Sequence, residues 1–184
     1  MDGKVENKRN VLHGTVLLRT DRLTLRPHLP EDAEVLFQAI GRDKEMFRYT
    51  GWSPYATEEM ANATVQRFIA GYEDPHFYGW AICLDDKLIG TIGAYDFEND
   101  SIEVGFSIQK SYWGKGFGSD ALKAVRDYLT ENENIPRLTA WCASENIGSR
   151  KVLENAGFYL RSTEMNAIEV DDRIYDKLNY EYKK

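Results

Sequence analysis

The sequence predicts an α+β domain on a mixed, mostly antiparallel sheet, and three observations carry that prediction. Strand-period segments at Phe77 to Leu84, Lys87 to Tyr95 and Ser101 to Ile108 follow one another across short acidic turns, as in an antiparallel meander. Helix-period segments stand before and after that meander instead of alternating with every strand. A glycine-rich stretch, Trp113-Gly114-Lys115-Gly116-Phe117-Gly118-Ser119, joins the last meander strand to an amphipathic helix.

Residues 1–14 lack periodicity and are expected to form a flexible lead-in to a single domain over 15–184. Val16 to Arg26 reads as extended, Leu23 and Leu25 alternating with Thr24 and Arg26 until Pro27 and Pro30 end the run. Glu31 and Asp32 open a helix to about Ile40, where the helix dipole favours their carboxylates. A second helix runs from Thr57, a residue suited to N-capping, to about Tyr72. Turns at Asp85-Asp86 and around Glu98-Asn99-Asp100 divide the meander. After the glycine stretch, Ala121, Leu122, Val125, Tyr128 and Leu129 share one face of a helix expected over 119–131. Arg137 to Ala143 reads as a strand, Asn146 caps a helix ending before Gly157, and 158–163 and 173–182 complete the sheet.

The 184 residues are 42% hydrophobic and 12% aromatic, enough for one cored domain. A net charge of −7 argues against a nucleic-acid-binding surface. It suits a cationic substrate, although solubility alone also accounts for it. Cys83 and Cys142 lie in apolar strand-like runs without disulfide or metal spacing, so both are expected to be buried and reduced. His13, His28 and His76 lie far apart, and no metal is expected. The first ten residues are charged and no apolar run reaches spanning length, so a cytoplasmic location with no membrane partner is expected.

The glycine stretch carries the clearest chemistry. Glycine permits tight turning and close approach to bare peptide N–H groups, and the first N–H groups of the following helix lack intrahelical partners. Together these make an anion site, best suited to a diphosphate. A dinucleotide fingerprint would follow the first strand of a parallel unit, whereas here Gly118 comes one place early and Ser119 stands where glycine or alanine belongs. A P-loop is excluded because no Gly-Lys-Ser/Thr closes the frame.

In this order the motifs resemble the GNAT acetyltransferase superfamily, and within it the ribosomal-protein (RimJ/RimL-like) N-acetyltransferase branch. Thr20-Asp-Arg-Leu-Thr-Leu-Arg26 with Glu31-Asp-Ala33 is similar to the branch's opening strand and helix. Gly90-Thr-Ile-Gly-Ala94 and Ile102-Glu-Val-Gly-Phe106 are similar to its third and fourth strands. Tyr112 to Gly118 resembles the acyl-CoA pyrophosphate loop, and Asn146-Ile-Gly-Ser149 with Val152-Leu153 and Gly157-Phe158 the second CoA-contacting motif.

The resemblance spans about residues 17–182 and implies a single GNAT-type domain, helices on both sheet faces, and acetyl-CoA as cosubstrate. It implies that Trp113, Gly114, Lys115, Gly116, Phe117, Gly118 and Ser119 hold the diphosphate, chiefly through backbone N–H groups. Phe106, Ser107 and Ile108 would pair with the pantetheine arm, and one main-chain N–H among them would meet the thioester oxygen. Asn146 either caps its helix or also touches cosubstrate, and Lys115 either adds charge or is solvated. Asp120 would repel phosphate and is expected to point outward. Two departures stand out. Trp113 replaces the usual Arg or Gln, and Leu153 replaces a Tyr that often protonates the leaving thiolate; Ser149, one helical turn earlier, is the expected substitute.

The implied reaction transfers acetyl from acetyl-CoA to a primary amine (a protein N-terminus, polyamine or small amine). Direct attack in a ternary complex is expected, because no Cys–His pair marks a covalent acetyl-enzyme. A protonated amine cannot attack, and Glu103 is the candidate base because its strand leads into the loop; the alternative is a solvated strand-face carboxylate. Trp52, Tyr55, Phe77, Tyr78 and Trp80 read as core or loop anchors, while the resemblance places the segment from Arg48 to Tyr55 beside the acceptor. Arg48 and Arg67 are candidates for reading a substrate carboxylate. Tyr175, Tyr180 and Tyr182 fit either a homodimer contact or the core. Two rival functions stay open: a non-catalytic acyl-CoA-binding sensor, which Leu153 favours, and a nicotinamide-dinucleotide binder.

Overall fold

Two-residue turns built from Asp and Asn set the sheet. Asp85-Asp86, Asn99-Asp100 and Asp171-Asp172 all have left-handed backbones, with φ between 46° and 62°. These side chains tolerate that region, and its twist matches that of the flanking strands. The computed structural model describes residues 12–50 and 54–184. Its first half contains β1 (Leu18–Arg19), β2 (Thr24–Arg26), α1 (Asp32–Leu36), α2 (Lys44–Phe47), α3 (Glu58–Gly71), β3 (Tyr78–Leu84) and β4 (Lys87–Glu98). The second half contains β5 (Ser101–Ile108), α4 (Phe117–Asp127), β6 (Arg137–Ala143), α5 (Ile147–Asn155), β7 (Tyr159–Val170) and β8 (Arg173–Lys183). The strands form one sheet in the order β1-β2-β3-β4-β5-β6-β8-β7. Among the described residues only the β5–β6 pair is parallel.

Period-two alternation in β3 divides the core between the two faces. Tyr78, Trp80 and Ile82 join Ala121, Leu122 and Val125 of α4 and Leu153 of α5 in the main core. Ala81 and Cys83 point the other way, against Ala33 and Leu36 of α1 and Val65 of α3. The expected α+β architecture, a mostly antiparallel sheet with helices on both faces, is therefore the one observed. Both cysteines are free and buried. Among the described residues no helix is long and apolar enough to cross a membrane.

Several expected boundaries change. The run from Val16 to Arg26 is two short strands, because the Thr20 N–H bonds the Leu23 carbonyl at 2.9 Å and turns the chain back. The short helix α2 has no counterpart in the sequence pattern; Asp43 caps it by accepting the Glu45 N–H at 3.0 Å. Thr57 does precede α3, but its side chain makes no cap to the backbone. Helix α4 begins two residues before the expected Ser119 and continues into a π-helical turn at Tyr128–Asn132. β7 extends to Val170, well past 163. Tyr175 and Tyr180 are 4% and 2% exposed, so they belong to the core and offer no dimer contact.

Of the lead-in expected over 1–14, residues 1–11 lie outside the described residues, as does Trp52. The residues that follow are tied down. The His13 N–H reaches both oxygens of the fully buried Glu133 at 3.1 Å, and the Tyr128 hydroxyl donates to the Gly14 carbonyl at 2.8 Å. Tyr78 donates to Glu133 at 2.8 Å, and the same Tyr128 hydroxyl lies 2.7 Å from Glu133 Oε1, its one hydrogen shared between that oxygen and the Gly14 carbonyl; these contacts satisfy a carboxylate that burial would otherwise make costly. The far end of α4 is thereby anchored to the start of the domain.

A second buried carboxylate holds α1 to β2. Asp32 accepts two hydrogen bonds from the Arg26 guanidinium and one from the Leu29 N–H, all at 2.8 Å. Burial works against ionisation, but hydrogen bonds from Arg26, His28 and Leu29 prevail and hold this carboxyl well below the ordinary range. A depressed folded-state pKa stabilises the fold above the unfolded pKa, and that stability is lost as pH falls toward the folded value. Asp32→Asn is therefore expected to cost about 2–4 kcal/mol at neutral pH, since it leaves Arg26 poorly paired. It should also flatten the decline in stability below about pH 4, as measured by urea unfolding across the acid range.

Candidate active site

The site begins where the sheet stops being continuous. β5 pairs with β4 along its length, but with β6 only at Ser101↔Arg137, Ile102↔Leu138 and Glu103↔Thr139. Beyond Glu103 the two parallel strands part. Residues Val104 to Ile108 have no ladder partner on that side, while β6 remains paired to β8 through Ala143. Alternate N–H and C=O groups of this part of β5 thus border a wedge that an extended, amide-bearing ligand can fill.

The wedge opens toward the carboxyl ends of β5 and β6, and a helix starts beyond each. Gly114 and Gly116 in the loop before α4 have φ of 73° and 82°, a left-handed region that glycine adopts at the least cost. The first helical bond of α4 runs from the Asp120 N–H to the Gly116 carbonyl at 3.0 Å. The N–H groups of Phe117, Gly118 and Ser119 therefore lack intrahelical acceptors, and no side chain caps them. Gly118 serves the packing of the two helices, since a Cβ there would stand 3.1 Å from Val152 Cγ2 and its bareness lets α4 and α5 touch. At α5 the Asn146 side chain accepts the Ser149 N–H at 3.1 Å, the expected cap. Ser149 is half-buried in the first turn, and its hydroxyl makes no hydrogen bond among the described residues.

The loop's side chains largely serve the loop itself. The Trp113 indole N–H donates to the Ile108 carbonyl at 2.6 Å, pinning the loop to the end of β5 while the residue stays 46% exposed. Lys115 donates to the Ser111 carbonyl at 2.9 Å and lies over the Tyr112 ring. Phe117 is buried, and Arg22 stacks on it at 4.6 Å. Asp120 does not simply face solvent, because Arg22 reaches its Oδ2 from Nε at 2.8 Å and from Nη2 at 2.6 Å. Arg22 Nη1 also donates to the Lys115 carbonyl at 3.0 Å.

Glu103 stands at the vertex of the wedge. Its Oε1 accepts the Trp141 indole N–H at 3.0 Å. A bulge in β4 determines its other neighbour. Counting back from Glu98↔Ser101 would put Asp96 opposite Glu103, but Asp96 turns left-handed (φ 54°) and the register slips to Tyr95↔Glu103. A tyrosine instead of a second carboxylate therefore stands directly across from Glu103, with Asp96 still near enough to act on its charge. Tyr95 is 47% exposed overall, yet a Cβ on Gly105 would lie 2.6 Å from its hydroxyl, so that end is tucked against β5. Burial, with a smaller push from the Asp96 charge, raises the Glu103 pKa; Lys177 and hydrogen bonds from Trp141 and Tyr95 pull it down without cancelling the rise. Lys177 sits over the Trp141 ring, 5.4 Å from its centroid. Trp141 in turn packs on the cluster of Ala143, Ile168 and Tyr175, which Tyr49 also joins. Arg48 lies 5.3 Å from the Tyr49 ring centroid.

The predicted loop, Phe106–Ile108 and Ser149 therefore border one wedge, with Glu103 at its base. Leu153 is 1% exposed within the main core, and Arg67 lies on α3. Arg22, Tyr95, Trp141 and Lys177 were not singled out from the sequence; only strand register brings the last three to Glu103. Two clefts of about 300 and 230 Å³ lie elsewhere, beside Arg137 and Glu133 respectively. The second is built on a carboxylate already committed to Tyr78, Tyr128 and His13. Among the described residues no three metal-ligating side chains gather.

The acetyltransferase (GNAT) domain family profile matches residues 22–159, which span the wedge, the loop and both helices. The uncharacterized N-acetyltransferase p20 of Bacillus licheniformis is 32% identical over 145 residues, covering 77% of this chain and 81% of that protein. The ribosomal-protein-serine acetyltransferase of Escherichia coli is 26% identical over 164 residues, covering 87% and 91%. Among solved structures, RimL, the ribosomal L7/L12 alpha-N-protein acetyltransferase in complex with coenzyme A, superposes with a TM-score of 0.83. That match has 20% identity and covers 91% of this chain and 98% of RimL. The chain belongs to the GNAT acetyltransferase family and is an N-acetyltransferase.

Proposed function

We propose that this N-acetyltransferase moves the acetyl group of acetyl-CoA to a primary amine by direct attack in a ternary complex, with Glu103 as the base. The placement of Glu103 carries the proposal: a half-buried carboxylate at the wedge vertex, one oxygen held by Trp141 and its pKa raised by burial. The cosubstrate fits the residues present. Free N–H groups at the start of α4 and the left-handed glycines suit its diphosphate, and the unpaired edge of β5 suits its amide-bearing arm. The related RimL was solved with coenzyme A, which supports the same reading.

Acetyl-CoA supplies the thioester whose acetyl group is transferred. The chain's own residues do the rest. An ammonium has no lone pair, so Glu103 takes its proton, directly or through water, and the raised pKa makes that carboxylate a better acceptor. A main-chain N–H from Phe106 to Ile108 stabilises charge developing on the thioester oxygen, a contribution of about 3–4 kcal/mol where such donors have been removed in other enzymes. Ser149 has an uncommitted hydroxyl at the mouth of the wedge and is the proton source for the leaving thiolate in place of the missing phenol. The acceptor class is a protein N-terminus, a polyamine or another small amine; the E. coli relative, a ribosomal-protein-serine acetyltransferase, favours the first.

A sensor without turnover is the second reading, because Leu153 occupies the core where a phenol would serve the thiolate. Thermal unfolding with CoA, acetyl-CoA and NAD, followed by thiol release against an amine panel, separates the possibilities. A ligand at a hundred times its Kd should stabilise the fold by about 2.7 kcal/mol. Stabilisation by both CoA forms with amine-dependent thiol release is expected; stabilisation without release would favour the sensor.

Glu103→Gln should leave CoA affinity unchanged, lower kcat/KM by about 10²–10⁴-fold and abolish the acid limb of the pH profile. Trp141→Phe removes a hydrogen bond that favours the ionised carboxylate, so the Glu103 pKa should rise further. The acid limb of kcat/KM should then move to higher pH while the plateau above it is retained. A limb that stays in place would remove Trp141 from the proton-transfer apparatus.

A further inference from the structure

Asp120 poses an electrostatic problem for the loop. A carboxylate in the first turn suits an empty helix end, but it repels a diphosphate approaching the same N–H groups. Arg22, 98 residues earlier in the chain, meets that charge through Nε and Nη2. The turn carrying Arg22 is itself fixed, because the Thr20 hydroxyl accepts the N–H groups of Arg22 and Leu23 at 3.2 and 2.8 Å.

The third guanidinium nitrogen acts on the loop backbone. Nη1 donates to the Lys115 carbonyl at 3.0 Å. In a trans peptide the C=O and the following N–H point to opposite sides. Drawing the Lys115 carbonyl toward Arg22 therefore turns the Gly116 N–H away from it. A Cβ at Gly116 would lie 3.1 Å from Arg22 Nη2, so glycine at this position serves both the left-handed turn and the close guanidinium. The Phe117 ring supports the same guanidinium at 4.6 Å.

We infer that Arg22 is a positioning residue for the diphosphate loop: it neutralises Asp120 and holds the Lys115–Gly116 peptide with its N–H toward the ligand. The inference rests on the reading of the loop as a CoA site. Arg22 works through the loop and Asp120, and needs no contact with the phosphates.

Calorimetric titration of CoA into the parent protein, Arg22→Met, Asp120→Asn and the double variant tests it. Methionine keeps an apolar stem on Phe117 while removing the charge and the donors. Arg22→Met is expected to weaken CoA binding about tenfold, the scale of one well-placed charged contact. Asp120→Asn alone should bind CoA at least as tightly as the parent. In the Asp120→Asn background, losing Arg22 should cost at least threefold less than in the parent. In steady state Arg22→Met should raise KM for acetyl-CoA and leave kcat within twofold.

An Arg22→Met protein with parental affinity overturns the inference, as does an equal loss in both backgrounds. Weakening by Asp120→Asn comparable to that by Arg22→Met also overturns it, because the ion pair would then be a brace and not a neutralising device. A parent protein that binds no CoA defeats the loop reading itself. Binding by the parent with indifference to Arg22 defeats only this inference.

Discussion

The short parallel ladder between β5 and β6 is the constraint on which the rest of the molecule depends. Three rungs join the strands, and past Glu103 the sheet divides into a five-stranded and a three-stranded part. Because the pair is parallel, both strands run into the opening and both following helices begin at its rim. An antiparallel pair would have sent one strand away and left a single helix start there. The divided sheet thus creates an unpaired strand edge, gathers two helix N-termini and exposes a carboxylate at the last shared rung.

Competing effects at that carboxylate have a clear order. Burial and, less strongly, the Asp96 charge disfavour the charged form, and two hydrogen-bond donors and the Lys177 ammonium favour it; the first side wins. Asp32 shows the opposite outcome in the same molecule, because a two-pronged guanidinium and a backbone N–H outweigh its burial. Position explains the contrast. Asp32 is met by both prongs of a guanidinium and by the Leu29 N–H, whereas Glu103 receives only neutral donors, the Trp141 indole and the Tyr95 hydroxyl. The first is a rivet; the second is held less tightly and keeps a raised pKa.

Local patterning made much of this legible. The turns rest on Asp and Asn, the boundaries of β5 and β6 on period-two alternation, and α5 on Asn146; all three depend on neighbours close in sequence. The glycine loop was legible because its left-handed positions admit little else. What could not be read depends on register. One extra residue near Asp96 decides whether Tyr95 or Asp96 faces Glu103, and no local propensity marks that slip. Trp141 and Lys177 reach the site from β6 and β8, across a crossover whose pairing is a property of the whole sheet. Arg22 was hidden differently, inside a stretch that reads as strand but turns at Thr20.

Helix α4 is fastened at both ends: Arg22 grips its first turn, while Tyr128, just past its last, bonds the buried Glu133 and Gly14. Its positive pole is therefore a stationary object within the molecule. Five residue steps along β5, roughly 17 Å at the rise of a β-strand, separate Glu103 from Ile108, and the loop over 109–116 carries the chain from there to that pole. The protein thus holds a ruler. One end is the fastened start of α4 and the other a carboxylate at the last rung shared by β5 and β6. A ligand that engaged both ends would be measured by the length separating its charged end from its reactive end, before any other contact is made.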